Sequence, residues 1–440
     1  MRRTPETELS PYCVGMTRAA VPVRGRLGRL DALRGVAAIV VLVHHVSMTV
    51  PQIATAYESS VGVMLYSVGW WATLSPLKVL LAGPEFVLVF FVMSGFVLVR
   101  SPLAARQTGQ RYDWVAYYVR RIIRLAVPVL VSMGLAVIWI VLVPRTVGAA
   151  GGPWLTRQDT PELGLGDLLR EASLIGETRR PDINPPLWSL VWETWFSLLL
   201  PLFVAVAVLM RGRSTTGPNP RRRAPTASPG SQATKRVVLW AALWCLIATL
   251  GYVTRTQALM YLPPFALGVL LASSYEELQR SGARLAQTAR GRLTWCTLAV
   301  AGPFLLVSYW MLRPLTSGPW SEITLSLRVA GAFVIVATVA FWPRARAPRI
   351  SSHPARGHLL AWLGSVSFSL YLVHFPIVVA GALLAGPGRW WLGALISVPV
   401  SLLLAQLMTM WVEQPAQKYG TRAGASVSRR MPPPARPTRV

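Results

Sequence analysis

Acidic residues are scarce in this sequence. Asp and Glu together number 17 in 440 residues, against 44 Lys and Arg, and charged residues make up only 14%. With 53% hydrophobic residues and a mean hydropathy of +0.45, the composition excludes an ordinary soluble protein of this length. The net charge of +27 would suit nucleic acid, but the basic residues lie in short connections between apolar runs, a pattern that the positive-inside rule explains better. We therefore expect membrane lipid, and no nucleic acid, as the partner of the chain.

Cysteines and phosphate-binding glycine motifs are also few. The three cysteines, Cys13, Cys245 and Cys296, are scattered and indicate neither a disulfide framework nor a metal site. No Walker-type or G-x-G-x-x-G segment occurs, so arginines rather than a glycine loop would hold a nucleotide-like ligand. The first thirty residues lack a small-residue cleavage site after a short apolar core, so we expect the first apolar run to be a retained span.

Long apolar runs predict an all-α, polytopic integral membrane protein of about ten transmembrane helices. The runs lie at 33–46, 84–99, 125–143, 185–210, 237–253, 259–271, 293–312, 323–342, 359–383 and 391–411. The strongly basic connections then fall on one side, which places both termini in the cytoplasm and the protein in the plasma membrane. We expect a basic N-terminal segment at 1–32, a transmembrane domain at 33–416 and a basic, Pro-rich tail at 417–440. Within the domain, the Pro-, Ser- and Arg-rich stretch 211–236 predicts a disordered cytoplasmic linker.

The first apolar run carries ionisable side chains at depth, where each is costly unless it has a partner or lines a cavity. His45 follows Arg34 by eleven residues. On a helix this separation is about 16 Å, so Arg34 would lie at one face and His45 near the middle of a ~30 Å hydrocarbon core. Because imidazole exchanges protons near neutral pH, we predict an acid/base role for His45. The alternative is that the histidines only pack against neighbouring helices. We favour this alternative for His44, because its side chain points about 100° away from that of His45.

Three further polar residues fall at a similar depth. Glu193 lies about 10 Å below the face opposite Arg34, and His45 lies about 14 Å below it, so a carboxylate–imidazole pair is one interpretation and a structural contact of Glu193 is the other. Ser94 precedes Gly95, a sequence more typical of close helix packing than of a nucleophile. His374 either lines the same cavity or braces a helix that contains Pro376.

The basic cluster at the start of the third run also has two interpretations. Arg120, Arg121 and Arg124 are either positive-inside anchors or, together with Arg34 at the same face, an anion site. Guanidinium groups recognise phosphate through paired hydrogen bonds, which makes a nucleotide or a pyrophosphate a suitable ligand.

Six short segments resemble elements of one known family. They are Leu30-Asp31-Ala32-Leu33-Arg34-Gly35 followed by His45, Phe90-Phe91-Val92-Met93-Ser94-Gly95-Phe96, Arg121-x-x-Arg124 with Pro128, Trp188-Ser189-Leu190-Val191-Trp192-Glu193, Phe368-Ser369-Leu370-Tyr371-Leu372-Val373-His374, and Glu413-x-Pro415. In this order, they resemble the acyltransferase-3 family of polytopic membrane acyltransferases. The family separates its arginine and histidine by ten residues, which selects His45 rather than His44.

The resemblance implies that an acyl group, usually acetyl from acetyl-CoA bound on the cytoplasmic side, passes to a hydroxyl or amine of an acceptor that is usually a sugar. Carried onto this sequence, the resemblance makes His45 the acid/base catalyst or a transient acyl carrier, and Glu193 would support either this histidine or the acceptor. The CoA phosphates would then be held by Arg34, Arg121 and Arg124, and the substrate would be contacted by Ser94, Trp188, Tyr371 and His374.

Two features depart from the family pattern. The tyrosine that often precedes the family's histidine is His44 in this sequence. Many bacterial members carry an extracytoplasmic esterase-like domain after the last helix, whereas a basic tail follows here, so the resemblance implies direct transfer or delivery to a separate extracytoplasmic protein.

We interpret the chain as an acyl-CoA-dependent O-acyltransferase acting on a carbohydrate or glycosylated acceptor. The alternative is a carrier of an acyl group or small solute, because arginines at one face with a mid-membrane histidine and glutamate also suit proton-coupled transport.

Overall fold

The structure, a computed structural model, describes residues 24–143, 151–158, 164–175, 182–211, 229–343 and 354–430. Every regular element within these ranges is helical. The helices are α1 (Arg24–Ser47), α2 (Pro51–Glu58), α3 (Val68–Thr73), α4 (Gly83–Leu98), α5 (Arg100–Gln107), α6 (Trp114–Leu142), α7 (Gly152–Thr156), α8 (Leu165–Ser173), α9 (Leu187–Leu198), α10 (Leu200–Arg211), α11 (Pro229–Thr254), α12 (Gln257–Ser273), α13 (Tyr275–Leu285), α14 (Ala289–Leu312), α15 (Pro319–Phe341), α16 (Pro354–Ala385), α17 (Trp390–Met408) and α18 (Gln414–Arg430). Short 3₁₀ segments occur at Pro76–Leu81 and Arg313–Leu315, and a π-helical turn at Thr409–Glu413 joins α17 to α18.

The number of membrane-spanning helices agrees with the apolar runs. In the described residues, eight helices are long and apolar enough to cross a bilayer, and the bent pairs α9–α10 and α12–α13 raise the number to as many as ten. The prediction of an all-α, polytopic membrane protein is therefore confirmed. The connection between α1 and α4 contains the short helices α2 and α3 and the 3₁₀ turn, with an irregular stretch at 59–67 between α2 and α3.

The bend between α9 and α10 has a local cause in Pro201. Proline lacks a backbone N–H, and its ring clashes with the carbonyl four residues earlier, which here belongs to Ser197. The helix α9 ends at Leu198, and α10 continues at an angle of 66°. Beside the break, the hydroxyls of Tyr117 and Tyr118 on α6 donate to the carbonyls of Ser197 (3.3 Å) and Leu198 (2.9 Å). The bend is thereby fixed against α6.

Several segment boundaries differ from those expected. The basic stretch before the third run and the run itself form the single helix α6. The predicted linker at 211–236 lies largely outside the described residues, but α11 begins at Pro229, within the end of that stretch. Most of the predicted N-terminal segment also lies outside them, although α1 begins at Arg24. The predicted tail forms α18, which packs against α6, through residue 430.

The centre of the bundle is built from α1, α4, α12 and α16. The helix α4 is largely buried and packs against α1 and α12, and α1 packs against α16. The crossing of α4 with α12 is so close that a Cβ at Gly95 would lie 2.1 Å from the Phe265 carbonyl oxygen, and one at Gly268 would lie 2.0 Å from the Val92 carbonyl oxygen. Glycines at helix crossings let backbones approach in this way. We call the end of the bundle where α1 begins the basic face, and the end that carries α2 and α3 the opposite face.

Candidate functional site

A cavity of about 90 Å³ lies between α1, α4, α6, α9 and α16 and contains most of the predicted site residues. Its polar lining includes Arg34, Ser94, Arg121, Arg124, Glu193 and Tyr371. The remaining lining is largely apolar, with Phe90, Phe91, Met93 and Phe368 among its members. Charged groups from three helices thus face one small space in the interior of the bundle.

Glu193 is paired with an arginine in this cavity. The Arg121 Nη2 atom donates to Glu193 Oε1 at 2.5 Å, and the Ser94 hydroxyl donates to the same oxygen at 3.4 Å. Arg121 Nε donates to Ser197 Oγ at 2.9 Å, and that hydroxyl donates to the Glu193 carbonyl at 2.7 Å. The Arg121 and Glu193 side chains are 8% and 19% exposed, so the pair is shielded from water. Glu193 thus contacts Arg121 and Ser94 rather than His45, its partner in one of the two interpretations of the sequence.

The other two arginines of the cavity retain their donors. Neither Arg34 nor Arg124 forms a hydrogen bond or ion pair through its side chain with any described residue, whereas Arg121 is engaged by Glu193 and Ser197. The carboxylates of Glu193 and Glu413 act on Arg124 electrostatically. A guanidinium offers five N–H donors suited to phosphate. Of the three predicted phosphate ligands, Arg34 and Arg124 are therefore the two whose donors are available to an anion.

His45 lies beyond the cavity and is paired with His374. The His45 Nδ1 atom is 3.0 Å from His374 Nε2 and 3.0 Å from the Val41 carbonyl oxygen, and His374 Nδ1 is 3.0 Å from the Leu370 carbonyl oxygen. A carbonyl only accepts, so the hydrogen of neutral His374 lies on Nδ1 and its Nε2 carries a lone pair. That lone pair accepts from the Nδ1–H of His45. Nε2 of neutral His45 is then its lone-pair nitrogen, the form that a general base or nucleophile requires.

Aromatic rings surround the histidine pair. The His45 ring centroid lies 5.1 Å from that of Phe375 and 6.1 Å from that of Trp154 on α7. His44 is buried, 4% exposed, and its Nδ1 is 2.9 Å from the Leu81 carbonyl oxygen. His44 therefore contacts the segment that precedes α4, while His45 contacts α16.

Tyr371 connects the cavity to the histidine pair. It lines the cavity, and its ring centroid lies 5.9 Å from that of His374. Its hydroxyl donates to the Pro186 carbonyl at 3.0 Å and lies 2.7 Å from Ser189 Oγ. Trp188, in contrast, is outside the cavity lining and packs at 5.2 Å from the ring of Tyr261. Of the predicted substrate-contacting residues, Ser94 and Tyr371 line the cavity, and His374 and Trp188 do not.

A buried carboxylate outside the candidate spans holds the start of α9. Glu171 on α8 accepts hydrogen bonds from the backbone N–H groups of Asp182 (2.8 Å), Ile183 (3.2 Å) and Asn184 (3.4 Å). Burial raises the pKa of Glu171 above its ordinary value. The Asn184 side chain donates to the Leu372 carbonyl on α16 at 2.9 Å. The loop before α9 is thus fixed to the helix that carries Tyr371.

Sequence reasoning missed several residues that position the predicted ones. Ser197 lies four residues after Glu193, and Tyr117 lies four residues before Arg121, so helical spacing places each on the same face as its partner. The i,i+4 spacing was therefore an available signal. Glu171 and Asn184 lie in a long connection whose charges gave no sign of burial. In the described part of the chain, no group of three or more His, Cys, Asp or Glu side chains is placed to hold a metal ion.

The fold and the site define a polytopic helical membrane protein with a buried, arginine-lined cavity and a nearby histidine pair. The model of the acyltransferase-3 family, described as an acyltransferase domain, matches residues 27–410, and the chain therefore belongs to this family. The chain is also similar to the Bacillus subtilis (strain 168) protein named "Putative peptidoglycan O-acetyltransferase YrhL", with 24% identity over 368 residues. The match covers 78% of this chain and 51% of that protein, so the chain spans about half the length of the curated relative it matches. No solved structure matches the chain.

Proposed function

We propose that the protein is a membrane O-acyltransferase that moves an acyl group, acetyl in the simplest case, from acyl-CoA to a hydroxyl of a carbohydrate or glycosylated acceptor. Membership of the acyltransferase-3 family supports the reaction class, and the printed name of the Bacillus relative supports a cell-wall glycan as acceptor. The acceptor meets the site from the opposite face, as a sugar outside the cytoplasm would.

One observation carries this proposal. The unpaired Arg34 and the lone-pair nitrogen of His45 lie on the same helix, about 16 Å apart by helical rise. Coenzyme A has its phosphates at one end of a long flexible arm and its thioester at the other. With the phosphates at Arg34 and Arg124, the arm would extend through the cavity past Ser94 and Tyr371 and bring the thioester toward His45.

The proposed chemistry uses Nε2 of His45. In direct transfer, Nε2 takes the proton of the acceptor hydroxyl as its oxygen bonds to the thioester carbon, the carbon–sulfur bond breaks, and the imidazolium returns the proton to the leaving thiolate. In the stepwise route, Nε2 itself attacks the thioester carbon and CoA leaves as a thiolate; the acceptor hydroxyl then displaces the imidazole, and its proton goes to the thiolate to give free CoA. Both routes need the same nitrogen and the same neutral tautomer. Glu193 acts through Arg121 in either route, as a positioning residue.

The test is acyl transfer by the purified protein in detergent, where no gradient exists. With acetyl-CoA and soluble peptidoglycan fragments, we expect acceptor-dependent CoA release together with an acetylated fragment. The His45→Ala variant should lose this activity, and the matched His44→Ala variant should retain most of it. Comparable activity in the His45→Ala protein would refute the assignment. Solute movement into sealed vesicles, without any acylated product, would instead establish the carrier alternative.

The two chemical routes are separated by omitting the acceptor. Protein that has been exposed to labelled acetyl-CoA and then denatured at once at neutral pH, where an acyl-imidazole survives longer than in acid, should retain label on His45 if the stepwise route operates, and none if transfer is direct. His44→Ala serves as the control, because its label should match that of the parent protein.

A further inference from the structure

Two adjoining cavities at the basic face lie apart from the site described above. The first, the basic pocket, has a volume of about 750 Å³ and lies between α13, α14 and the end of α15. The second, the apolar groove, has a volume of about 460 Å³ and lies between α14 and α15. Arg29 and Trp342 line both, so the two cavities adjoin at these residues, and we call the two together the depression. No residue of the proposed acyl-transfer site lines either one.

The lining of the basic pocket is suited to an anion. It contains Arg29 and Arg292 with the amides Gln279 and Gln287, and no acidic residue lines it. Arg29 is fixed at the junction of the two cavities, because its Nη1 donates to the Trp342 carbonyl at 2.8 Å. Its other N–H groups remain for a ligand. A phosphate in this pocket would therefore meet positive charge with no competing carboxylate.

The lining of the apolar groove is suited to hydrocarbon, with one exception. It consists of Leu298, Ala299, Pro303, Ile335, Thr338 and Val339 beside the two shared residues. Thr338 is 6% exposed, and its hydroxyl has no hydrogen-bond partner in the described structure. Other helical threonines of this chain, such as Thr249 and Thr297, donate to the carbonyl four residues earlier. A buried hydroxyl without a partner is unfavourable, and a ligand oxygen at this position would remove that cost.

The order of these features along α15 matches an amphiphile. Trp342 follows the last residue of the helix, and Thr338 lies four residues earlier, about 6 Å deeper. Ile335 lies one turn deeper again. From the basic face inward, the depression thus presents cationic side chains, an interfacial tryptophan, one unpaired hydroxyl and then apolar surface. Tryptophan is enriched where headgroups meet hydrocarbon.

We propose that the depression binds one anionic phospholipid, with its phosphate at Arg29 and Arg292, its ester region at Thr338 and Trp342, and an acyl chain along the apolar groove. A soluble nucleotide or free phosphate would leave the groove and the Thr338 hydroxyl unused. A zwitterionic phospholipid would bring its own cation next to Arg29 and Arg292, in a pocket that has no acidic residue to receive that cation. The lipid is a ligand of this depression and takes no part in acyl transfer.

The test is lipid binding by the full-length protein in detergent, followed by native mass spectrometry. Phosphatidylglycerol, phosphatidylcholine and glycerol 3-phosphate are compared as the anionic lipid, the zwitterionic lipid and the headgroup fragment without chains. We expect phosphatidylglycerol to bind about tenfold more tightly than either of the others, because phosphatidylcholine adds a cation beside the two arginines and glycerol 3-phosphate leaves the apolar groove empty.

Variants locate the site. Arg292→Gln should remove most of the preference for phosphatidylglycerol, Thr338→Val should weaken its binding severalfold, and Ala299→Phe should weaken it by filling the groove. The matched controls are Arg290→Gln, which changes an exposed arginine of α14 outside the lining, and Thr297→Val, whose hydroxyl already has a partner. These controls should bind the lipid as the parent protein does.

Three results would overturn the proposal. An equal loss of phosphatidylglycerol binding in Arg292→Gln and Arg290→Gln would show that the lipid responds to the overall positive charge rather than to a defined site. Glycerol 3-phosphate binding as tightly as the lipid would show a phosphate site in which the groove has no part. Variants of the depression that raise the KM for acetyl-CoA, with unchanged lipid binding, would assign the pocket to the nucleotide end of CoA instead.

Discussion

At the scale of single residues, the histidine pair determines what the site can do. His374 is 1% exposed and is held by the Leu370 carbonyl, so its ring cannot turn without losing a buried hydrogen bond. It therefore offers His45 an acceptor at a fixed position. The lone pair on His45 Nε2 depends on this acceptor, because rotation or the other tautomer would place the hydrogen on the reacting nitrogen.

The role of His374 can be separated from simple packing. We expect His374→Leu to lower kcat for acyl transfer by about 100-fold, within the range that general acid/base catalysis contributes, because His45 loses the acceptor that fixes its tautomer. The KM for acetyl-CoA should change little, since Arg34 and Arg124 are untouched. His374→Gln, whose amide oxygen can accept from His45, should restore part of the activity. A parallel rise in KM, or no rescue by glutamine, would contradict a positioning role.

Lys78 is the most unusual titratable residue of the opposite face. It is 1% exposed, its Nζ donates to the Leu81 carbonyl at 3.1 Å, and it lies over the rings of Tyr57 (4.7 Å) and Trp310 (4.6 Å). Burial lowers the pKa of Lys78 from its ordinary 10.5 to about 8, and the charge of Glu85 opposes this shift. The faces of the two aromatic rings attract the lysine cation, but this attraction compensates only partly for the hydration that the cation loses on burial.

This residue predicts a pH-dependent stability. Between pH 8 and pH 9.5, the unfolded chain keeps a proton on Lys78 that the folded chain releases, so the free energy of unfolding should rise with pH, by on the order of 2 kcal/mol. Thermal unfolding in detergent across this range measures the effect as an increase in Tm. Lys78→Met should abolish the increase, whereas Lys418→Met, an exposed lysine of α18, should keep it. An equal increase in parent and Lys78→Met proteins would exclude Lys78 as the source.

At the scale of helices, close glycine crossings fix the geometry of the cavity. Ser94 lines the cavity, and the next residue, Gly95, allows α4 to approach the backbone of α12. Any widening of this crossing would shift α4 and thereby change the position of Ser94 relative to Glu193. The same helix carries Phe90 and Phe91, which form part of the cavity wall.

A pair of alanine substitutions tests this crossing. Gly95→Ala would place a methyl group 2.1 Å from a backbone oxygen, so we expect it to destabilise the protein by about 1–3 kcal/mol or more and to reduce acyl transfer. Gly134→Ala, on the exposed side of α6 with no atom within 4 Å of the new Cβ, should change stability by only about ±0.5 kcal/mol. Thermal unfolding and transfer assays on both proteins check this. Similar stability and similar activity of the two variants would show that the close crossing of α4 and α12 does not constrain the geometry of the cavity.

Helices and their order were predictable because apolar runs of bilayer length have few other outcomes in a chain of this composition. The residues at which the helices begin and end were less predictable. The basic residues around Arg121 continue the helix of the third run, and the segment after Glu413 is helical because it packs on α6, a tertiary contact that local sequence does not reveal. The break at Leu198 follows from Pro201 and was open to prediction.

At the scale of the whole molecule, helical rise predicted depth but not partners. Depth placed Glu193, Ser94, His45 and His374 at one level and Arg121 at the basic face. In the structure, Glu193 and Ser94 share one cavity with Arg121, whereas His45 and His374 do not line it. Helical rise gives only the depth of a residue along the helix axis. Whether Glu193 meets Arg121 or His45 depends on the rotation of each helix about its axis, and packing against all neighbouring helices sets that rotation. The resemblance, rather than spacing, supplied Tyr371 and Trp188, and only Tyr371 lies in the cavity.

Orientation in the bilayer remains a prediction at this scale. The arginine-rich connections and an even number of spans place the basic face in the cytoplasm. This orientation is also what the proposed donor requires, because Arg34 and Arg124 must meet acyl-CoA from the cell interior. The histidine end would then face the acceptor outside the cytoplasm.

Single cysteines at the two faces test the orientation. In a Cys13→Ser, Cys245→Ser and Cys296→Ser background, Val61→Cys on the opposite face is 88% exposed as valine, and Arg290→Cys lies at the basic face. A membrane-impermeant maleimide should label Val61→Cys in intact cells and Arg290→Cys only after permeabilisation. The reverse pattern would put the arginines outside the cytoplasm, where acyl-CoA is absent, and would reject the proposed donor together with the orientation.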